Sequence, residues 1–97
     1  MSRYFDIDGN PLTLTEWAQM FEKDEGRRIG RTSQGDVEVS TVFLGLDHNF
    51  GFGRPLLFET MIFGGPHDQD QWRYSTREEA EAGHRVACEL AFGSVTA

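Results

Sequence analysis

The residues of this chain that could do chemistry are concentrated in one segment, DHNFGFGR at positions 47–54. Its charged and polar side chains can bind ions or small ligands, and its phenyl rings can stack on planar groups. The glycines between the rings permit close approach to the backbone. The alternative is a structural loop, in which Asp47 and Asn49 hold a turn through side-chain hydrogen bonds to the backbone. The residues predicted to form a ligand- or partner-binding site here are Asp47, His48, Asn49, Phe50, Phe52 and Arg54.

Four residues outside this segment complete the candidate site. Glu59 lies within an apolar strand, where a carboxylate is costly unless it is paired. A structural ion pair with an arginine is one interpretation, and an acid in a pocket is the other. His84 lies on the inner stripe of a predicted helix, where a hydrogen-bonded core histidine is the alternative to a ligand-binding one. Arg73 and Tyr74 belong to a predicted extended segment before that helix.

These side chains could form two kinds of catalytic site. Asp47, His48, Glu59 and His84 could form an acid/base site. Cys88 follows His84 by four residues, which places both on one helical face, as an activated nucleophile would require. A cysteine inside a helix is more often a small buried hydrophobe. The sequence therefore assigns no catalytic residue.

A metal site is a further alternative, with Asp47, His48, His67 and Asp68 as the possible donors. The spacing between the two pairs follows no known ligand rule, and the chain has no HExxH, P-loop or paired CxxC motif. We predict no metal and no cofactor.

The composition limits the classes of partner. The 97 residues predict one domain, 1–97, with 16 acidic and 9 basic residues and a net charge of −7. This charge disfavours general nucleic-acid binding but permits a local site for one small anion. The basic cluster is formed by Arg27, Arg28 and Arg31; it predicts either a charged edge strand or an anion- or partner-binding patch.

The location is predicted from what the chain contains. No apolar run approaches the roughly 20 residues of a membrane span. Cys88 is the only cysteine, and the first residues, MSRYFDIDGN, have no signal-peptide pattern. We expect a cytoplasmic protein without a membrane partner.

The secondary-structure pattern predicts a small α+β fold. A capping box, Thr13 with Glu16, starts the first helix, and two overlapping boxes, Ser75 with Glu78 and Thr76 with Glu79, precede the second. The predicted order is β-α-β-β-β-α, with an antiparallel sheet of three to four strands, a long central hairpin and two packed helices. The predicted elements are an extended arm at 3–8, a helix at 14–24, a hairpin of 28–32 with 37–46, an extended segment at 72–74 and a helix at 76–92. The strand predicted at 56–63 pairs with 37–46 as the long central hairpin, and residues 47–55 form its tip.

The central hairpin carries apolar residues on both faces, which predicts a homodimer. One face would bear Phe43, Phe58 and Ile62, and the opposite face would bear a second set, Val42, Leu44, Met61 and Phe63. Two short helices can cover one face, and a second copy is the economical cover for the other. The alternative is that the N-terminal arm and the 64–74 loop fold over it.

The order of several short motifs resembles a family of small bacteriophage and prophage proteins. The motifs are DGNP with EWA near the start, then STVFLGLDH, PLLFETMIF, RYST, EA and GH. This resemblance extends over nearly the whole chain and implies an accessory protein acting in the host cytoplasm. It supplies no catalytic residues.

These observations favour a non-enzymatic binding protein that takes a host factor or a small anionic ligand, for example a nucleotide signal. A small acid/base or metal-assisted enzyme and a structural component of a virion are the alternatives.

Overall fold

The computed structural model describes residues 3–22, 27–47 and 53–93. Their fold is α+β, as the sequence predicts. The helices and strands in chain order are β1 (Tyr4–Phe5), β2 (Pro11–Leu12), α1 (Leu14–Glu22), β3 (Arg28–Gln34), β4 (Val37–Phe43), β5 (Phe58–Phe63), β6 (Gln71–Tyr74) and α2 (Arg77–Phe92).

The strands form two antiparallel sheets. β3, β4, β5 and β6 are neighbours in that order and make the main sheet. The predicted extended segment at 72–74 is thus its edge strand β6, and the predicted hairpins are its centre. β1 and β2 pair as a small second sheet, which the predicted order does not contain. A bridge from Tyr4 to Leu46 joins this sheet to the chain beyond β4.

The side chain of Asp6 stabilises the turn between β1 and β2. The Asp6 carboxylate accepts hydrogen bonds from the backbone N–H groups of Asp8 and Asn10, at 2.9 Å and 2.8 Å. Gly9 occupies the turn with a φ of 87°. The Gly9-Asn10-Pro11 turn signal in the sequence therefore marks a hairpin between β1 and β2.

The inner face of the main sheet contains the core. Its buried side chains alternate along β4 and β5, because successive residues of a strand point to opposite faces. The backbone of α2 packs against all four strands of this sheet, whereas the backbone of α1 packs against β1 and β2. The helix α2 therefore lies over the inner face of all four strands, and Met20 and Phe21 of α1 pack against the core cluster that contains Phe43 and Phe58. The buried residues of β4 and β5 on this face are Val39, Thr41, Phe43, Phe58, Thr60 and Ile62.

Both helices start as the sequence predicts. Thr13 and Glu16 exchange side-chain and backbone hydrogen bonds of 2.8 Å and 3.1 Å at the start of α1. Thr76 caps α2, and Glu79 completes the box, so the second of the two overlapping boxes is the one that forms. The predicted end of α1 at residue 24 lies outside the described residues, whereas α2 ends before Gly93 as expected.

The inner stripe of α2 differs at Leu90 from the one that the sequence predicts, which consists of Ala80, Gly83, His84, Ala87, Leu90 and Ala91. Ala80 and Ala87 are buried, and these small residues allow the helix to lie close to the sheet. Leu90 is instead 43% exposed, as is Val86 at 64%. The prediction that Leu90 faces the core is wrong. Position 90 lies at the border between the inner and outer sides of the helix, and Ala87, Cys88 and Ala91 fill the inner side.

The outer face of the main sheet is more polar than the hairpin alone suggests. In the register, Val42, Met61 and Phe63 do lie on this face, whereas Leu44 lies beyond the end of β4. β3 and β6 add arginines beside the glutamates of the central strands, and these form the ion pairs Arg31–Glu38 and Arg73–Glu59. The outer face is thus a mixed surface with three apolar side chains at its centre and end.

Candidate functional site

A groove of about 620 Å³ lies between α1 and the residues that follow β4. Its size falls within the range of about 300–1,000 Å³ that is typical of small-molecule sites. The wall on the helix side is aromatic, and the opposite wall is aliphatic. The lining residues are Trp17, Ala18, Phe21, Glu22, Arg27, Leu44 and Leu46.

Trp17 is held in a fixed position in this groove. Its indole Nε1 donates a hydrogen bond of 3.2 Å to the carbonyl oxygen of Leu44. Its ring lies edge-on to Phe21, with a centroid distance of 4.5 Å, and 5.1 Å from the ring of Tyr4. A half-buried tryptophan with a paired N–H and packed neighbours presents a preorganised surface for stacking.

Gly45 is the residue that lets Trp17 approach the backbone. Its φ is 68°, which an L side chain rarely adopts, and a Cβ there would lie 2.8 Å from the indole Nε1. Glycine therefore meets two requirements at this position, the turn of the chain after β4 and the close indole contact.

Arg27 supplies a positive charge to the groove. Its guanidinium carbon lies 4.1 Å from the centroid of the Phe21 ring, which is a cation–π arrangement. Its backbone carbonyl accepts a 2.6 Å hydrogen bond from the N–H of Phe43, which fixes the chain at this point. Glu22 also lines the groove, and it is exposed.

Asp47 is the first residue of the segment 47–54, in which the sequence predicts a binding site. It is 8% exposed, and its carboxylate accepts a 3.1 Å hydrogen bond from the backbone N–H of Leu56. The structural role that the sequence offers as an alternative is therefore present at Asp47. The other predicted binding residues of this segment, His48, Asn49, Phe50 and Phe52, lie outside the described residues.

Arg54, the last residue of the segment 47–54, forms an ion pair with Glu79 at the start of α2. Its guanidinium lies 2.8 Å from the carboxylate of Glu79, which also accepts from the backbone N–H groups of Ser75 and Thr76. Burial acts to raise the pKa of Glu79, but these hydrogen bonds and the charge of Arg54 outweigh it, so the pKa lies below its ordinary value. Arg54 thus reinforces a helix cap.

Glu59 has the arginine partner that the sequence suggests. Its carboxylate lies 3.0 Å from Nε of Arg73, its register partner on β6. The pair is on the outer face, with side-chain exposures of 17% for the glutamate and 36% for the arginine. These two predicted site residues therefore form a structural ion pair.

His84 is a hydrogen-bonded core histidine. Its Nδ1 lies 2.7 Å from the hydroxyl of Thr41, and its Nε2 lies 3.0 Å from the hydroxyl of Thr32. Thr41 in turn lies 2.5 Å from Thr60, so three strands and α2 share one polar network. Burial lowers the pKa of His84 below its ordinary value. Both ring nitrogens are engaged, and the Cys88–His84 nucleophile has no support here.

Tyr74 is placed by its packing on α2. Its ring packs against the core cluster that includes Phe43 and Phe58. The tyrosine ring lies so close to Gly83 that a Cβ on that glycine would overlap it. Tyr74, a predicted site residue, therefore serves as a contact between β6 and the helix.

The acid/base set of the sequence analysis is not assembled. Glu59 lies on the outer face of the main sheet, whereas His84 lies beneath α2 on the inner face. Asp47 is beyond the end of β4 and bonds to Leu56. Glu59 and His84 cannot act on one substrate atom, because the sheet separates them, and His48, the fourth member of the set, lies outside the described residues.

The metal set is likewise divided. Asp47 precedes β5 and approaches Leu56, whereas His67 and Asp68 follow the opposite end of β5. His67 contacts Asp70 at 3.2 Å, and Asp68 accepts a 2.6 Å hydrogen bond from the N–H of Gly64. Within 3–22, 27–47 and 53–93, no group of three His, Cys, Asp or Glu residues could hold a metal ion.

Comparisons with known proteins add no relative. No family model, no curated protein and no solved structure matches the chain. In the part of the chain that the structure describes, no helix is long and apolar enough to cross a membrane.

Sequence reasoning missed the groove. The helical spacing of Trp17 and Phe21 predicts an apolar stripe that packs in the core. The cluster containing Arg27 predicts either a charged edge strand or an anion- or partner-binding patch, so the sequence offers anion binding at Arg27 but does not place it beside Trp17. The signal that was present is Gly45 directly after Leu44, since a glycine inside an apolar strand marks a bend or a close contact.

Proposed function

We propose that this chain is a non-enzymatic binding protein for a small anionic ligand. The observation that carries this proposal is the open groove beside Trp17, whose rings and charge are fixed before any ligand arrives. The titratable residues that the sequence nominates for catalysis, by contrast, are engaged in structural contacts at Glu59 and His84. A preformed apolar groove with a few polar groups is typical of ligand sites.

The wider assignment is also a proposal. The motif order supports an accessory protein of the bacteriophage or prophage type that works in the cytoplasm, and a host factor is then the alternative occupant of a binding surface. A homodimer belongs to the same proposal. It is supported by the outer face of the main sheet, where Phe63 is 44% exposed.

The experiment is a ligand screen on the whole chain. Nucleotides, nucleosides and aromatic carboxylates would be added singly, and the melting temperature and the native mass spectrum would be recorded. We expect at least one anionic compound to raise the melting temperature and to remain bound in a defined ratio, because a ligand that binds the folded state stabilises it.

Three results would contradict the proposal. They are the absence of binding by every compound, chemical conversion of a bound compound and large open-ended assemblies in the native spectrum. Conversion would favour a small enzyme, and assemblies would favour a structural component of a virion.

A further inference from the structure

The rings of the groove are arranged for a flat ligand. Trp17 is fixed by its hydrogen bond to Leu44 and by the edge of Phe21. Leu44 and Leu46 supply aliphatic surface on the other wall. An aromatic ring can stack on any planar π system, because every such system has a face. A ring that is already fixed also loses little entropy on binding.

The charges of the groove favour an acidic group on that ligand. Arg27 is half-buried and lies against Phe21, whereas Glu22 is exposed. An exposed charge is screened by water and salt more strongly than a half-buried one. The guanidinium of Arg27 is therefore the less screened of these two charges and the one toward which an acidic group is placed, although the chain as a whole has a net charge of −7.

Resting on the proposed binding function, we infer that the groove takes a planar aromatic compound with one acidic group, the ring beside Trp17 and the anion toward Arg27. An arenesulfonate, an aromatic carboxylate and a mononucleotide share this chemistry. The aromatic part gains affinity from stacking and apolar burial, and the anion gains a charge-assisted hydrogen bond.

The first test uses anilinonaphthalene sulfonate as the probe and phenylnaphthylamine as its uncharged counterpart. Trp72→Phe removes the tryptophan on β6, so that the remaining tryptophan fluorescence reports Trp17 alone. We expect saturable quenching of Trp17 with a stoichiometry of one probe per chain. Near-UV circular dichroism must stay unchanged, because this probe also binds partly unfolded proteins.

Two charge variants with opposite effects make the test specific. Arg27→Gln should weaken binding of the sulfonate by about fivefold, and Glu22→Gln should strengthen it by about twofold, which is the scale of exposed and half-exposed charge interactions. Neither should change the affinity for the uncharged amine by more than about 1.5-fold. Arg31→Gln and Glu81→Gln, whose residues form ion pairs elsewhere, are the matched controls.

A blocking variant avoids dependence on Trp17 itself. Ala18 lines the groove and is exposed on α1, so Ala18→Phe adds bulk without removing any packing. We expect it to reduce the affinity for both probes by at least about tenfold, because it occupies their apolar space. Unchanged affinity in this variant would overturn the inference.

Nucleotides separate the sources of the acidic group. AMP and adenosine share a base and differ in the phosphate, so AMP should bind more tightly and respond to Arg27→Gln. If a compound binds the wild-type chain and its affinity is unchanged in Ala18→Phe and Arg27→Gln, it does not bind in the groove. The inference about the groove is then wrong, and the binding function stands. If neither probe nor nucleotide binds the wild-type chain, the inference about the groove is wrong, and the binding function is wrong as well if every compound of the ligand screen also fails to bind.

Discussion

Nδ1 of His84 on α2 lies 2.7 Å from the hydroxyl of Thr41 at the centre of the main sheet. Thr41 and its neighbour Thr60 have no exposed surface, so the network cannot replace a lost partner with bulk water. A buried polar network costs stability when one member is removed, because the others keep their desolvation penalty.

Thr41→Val is therefore expected to lower the free energy of unfolding by about 1–3 kcal/mol, since the hydroxyls and imidazole it serves lose a partner. Thr32→Val, which removes a half-buried bond, should cost about 0.5–1.5 kcal/mol. Urea unfolding at constant pH measures both. The double variant Thr41→Val with Thr60→Val should lose less unfolding free energy than the sum of the losses in the single variants Thr41→Val and Thr60→Val. Strict additivity would contradict a shared network.

The stability should also depend on pH through His84. Burial lowers its pKa in the folded state, so the unfolded chain binds the proton first as the pH falls. The contribution of His84 is complete above the ordinary histidine pKa of about 6.5 and is lost as the pH falls from there toward the lowered value. Unfolding free energies measured between about pH 5 and 8 should therefore rise with pH below about 6.5 and show no further His84 contribution above it.

His84→Gln is the control for this dependence, because it keeps a polar side chain that does not titrate. Its stability curve should be flatter near pH 6 to 6.5 than that of the wild-type chain. Parallel curves for the two proteins would show that other groups cause the slope.

The core can be tested by comparing aromatic residues of different burial. Phe58 has 0% exposure, and Phe58→Ala should cost about 3–5 kcal/mol of stability. Trp17→Ala should cost less, since Trp17 is half-buried beside the groove. Phe63→Ala, at a residue 44% exposed, should cost least of the three. Urea midpoints rank the variants, and an equal loss at Trp17 and Phe58 would move Trp17 into the core.

The fold follows from patterns that are local in the sequence. The capping boxes Thr13–Glu16 and Thr76–Glu79 set the helix starts, and the alternation along β4 and β5 sets the inner face. These features depend on neighbours a few residues apart, which a sequence displays directly. The strand β6 was expected only as an extended segment, because its exposed residues show no clear alternation.

The groove could not be derived in the same way. Trp17 reaches Leu44 across 27 positions of the chain, and the contact needs the bend at Gly45. The ion pair of Glu59 was expected from the cost of burying a carboxylate, but its partner Arg73 is fixed only by the register of β5 and β6. Long-range register is what a single sequence leaves open.

Gly45 gives a direct test of how the groove is held. Gly45→Ala should cost more stability than Gly9→Ala, although both glycines have positive φ, because a Cβ at Gly9 meets no atom within 4 Å whereas one at Gly45 meets the indole of Trp17. The φ strain alone is worth about 1–2 kcal/mol. In the Trp72→Phe background, the emission maximum of Trp17 should shift in Gly45→Ala only. Equal effects at the two glycines would show that the indole contact is unimportant.

The last prediction concerns the outer face of the main sheet and the proposed homodimer. Three apolar side chains, those of Val42, Met61 and Phe63, share this face with ion pairs, and the backbone of neither described helix packs on its side. Four strands about 4.8 Å apart and about 20 Å long span roughly 400 Å² in projection, or about 800 Å² for a pair of chains, which is less than the roughly 1,200 Å² that a stable specific interface buries. We therefore expect a weak, concentration-dependent dimer.

Analytical ultracentrifugation from micromolar to millimolar concentration should show the 11.0 kDa chain shifting toward twice its mass. Met61→Glu should move the shift to higher concentration, because it places a carboxylate at the centre of the face without disturbing the core beneath. Val86→Glu on the exposed side of α2, where Val86 is 64% exposed, is the matched control and should leave the shift unchanged. A species of 11.0 kDa at every concentration would rule out the dimer, and an equal effect of both variants would place the contact elsewhere.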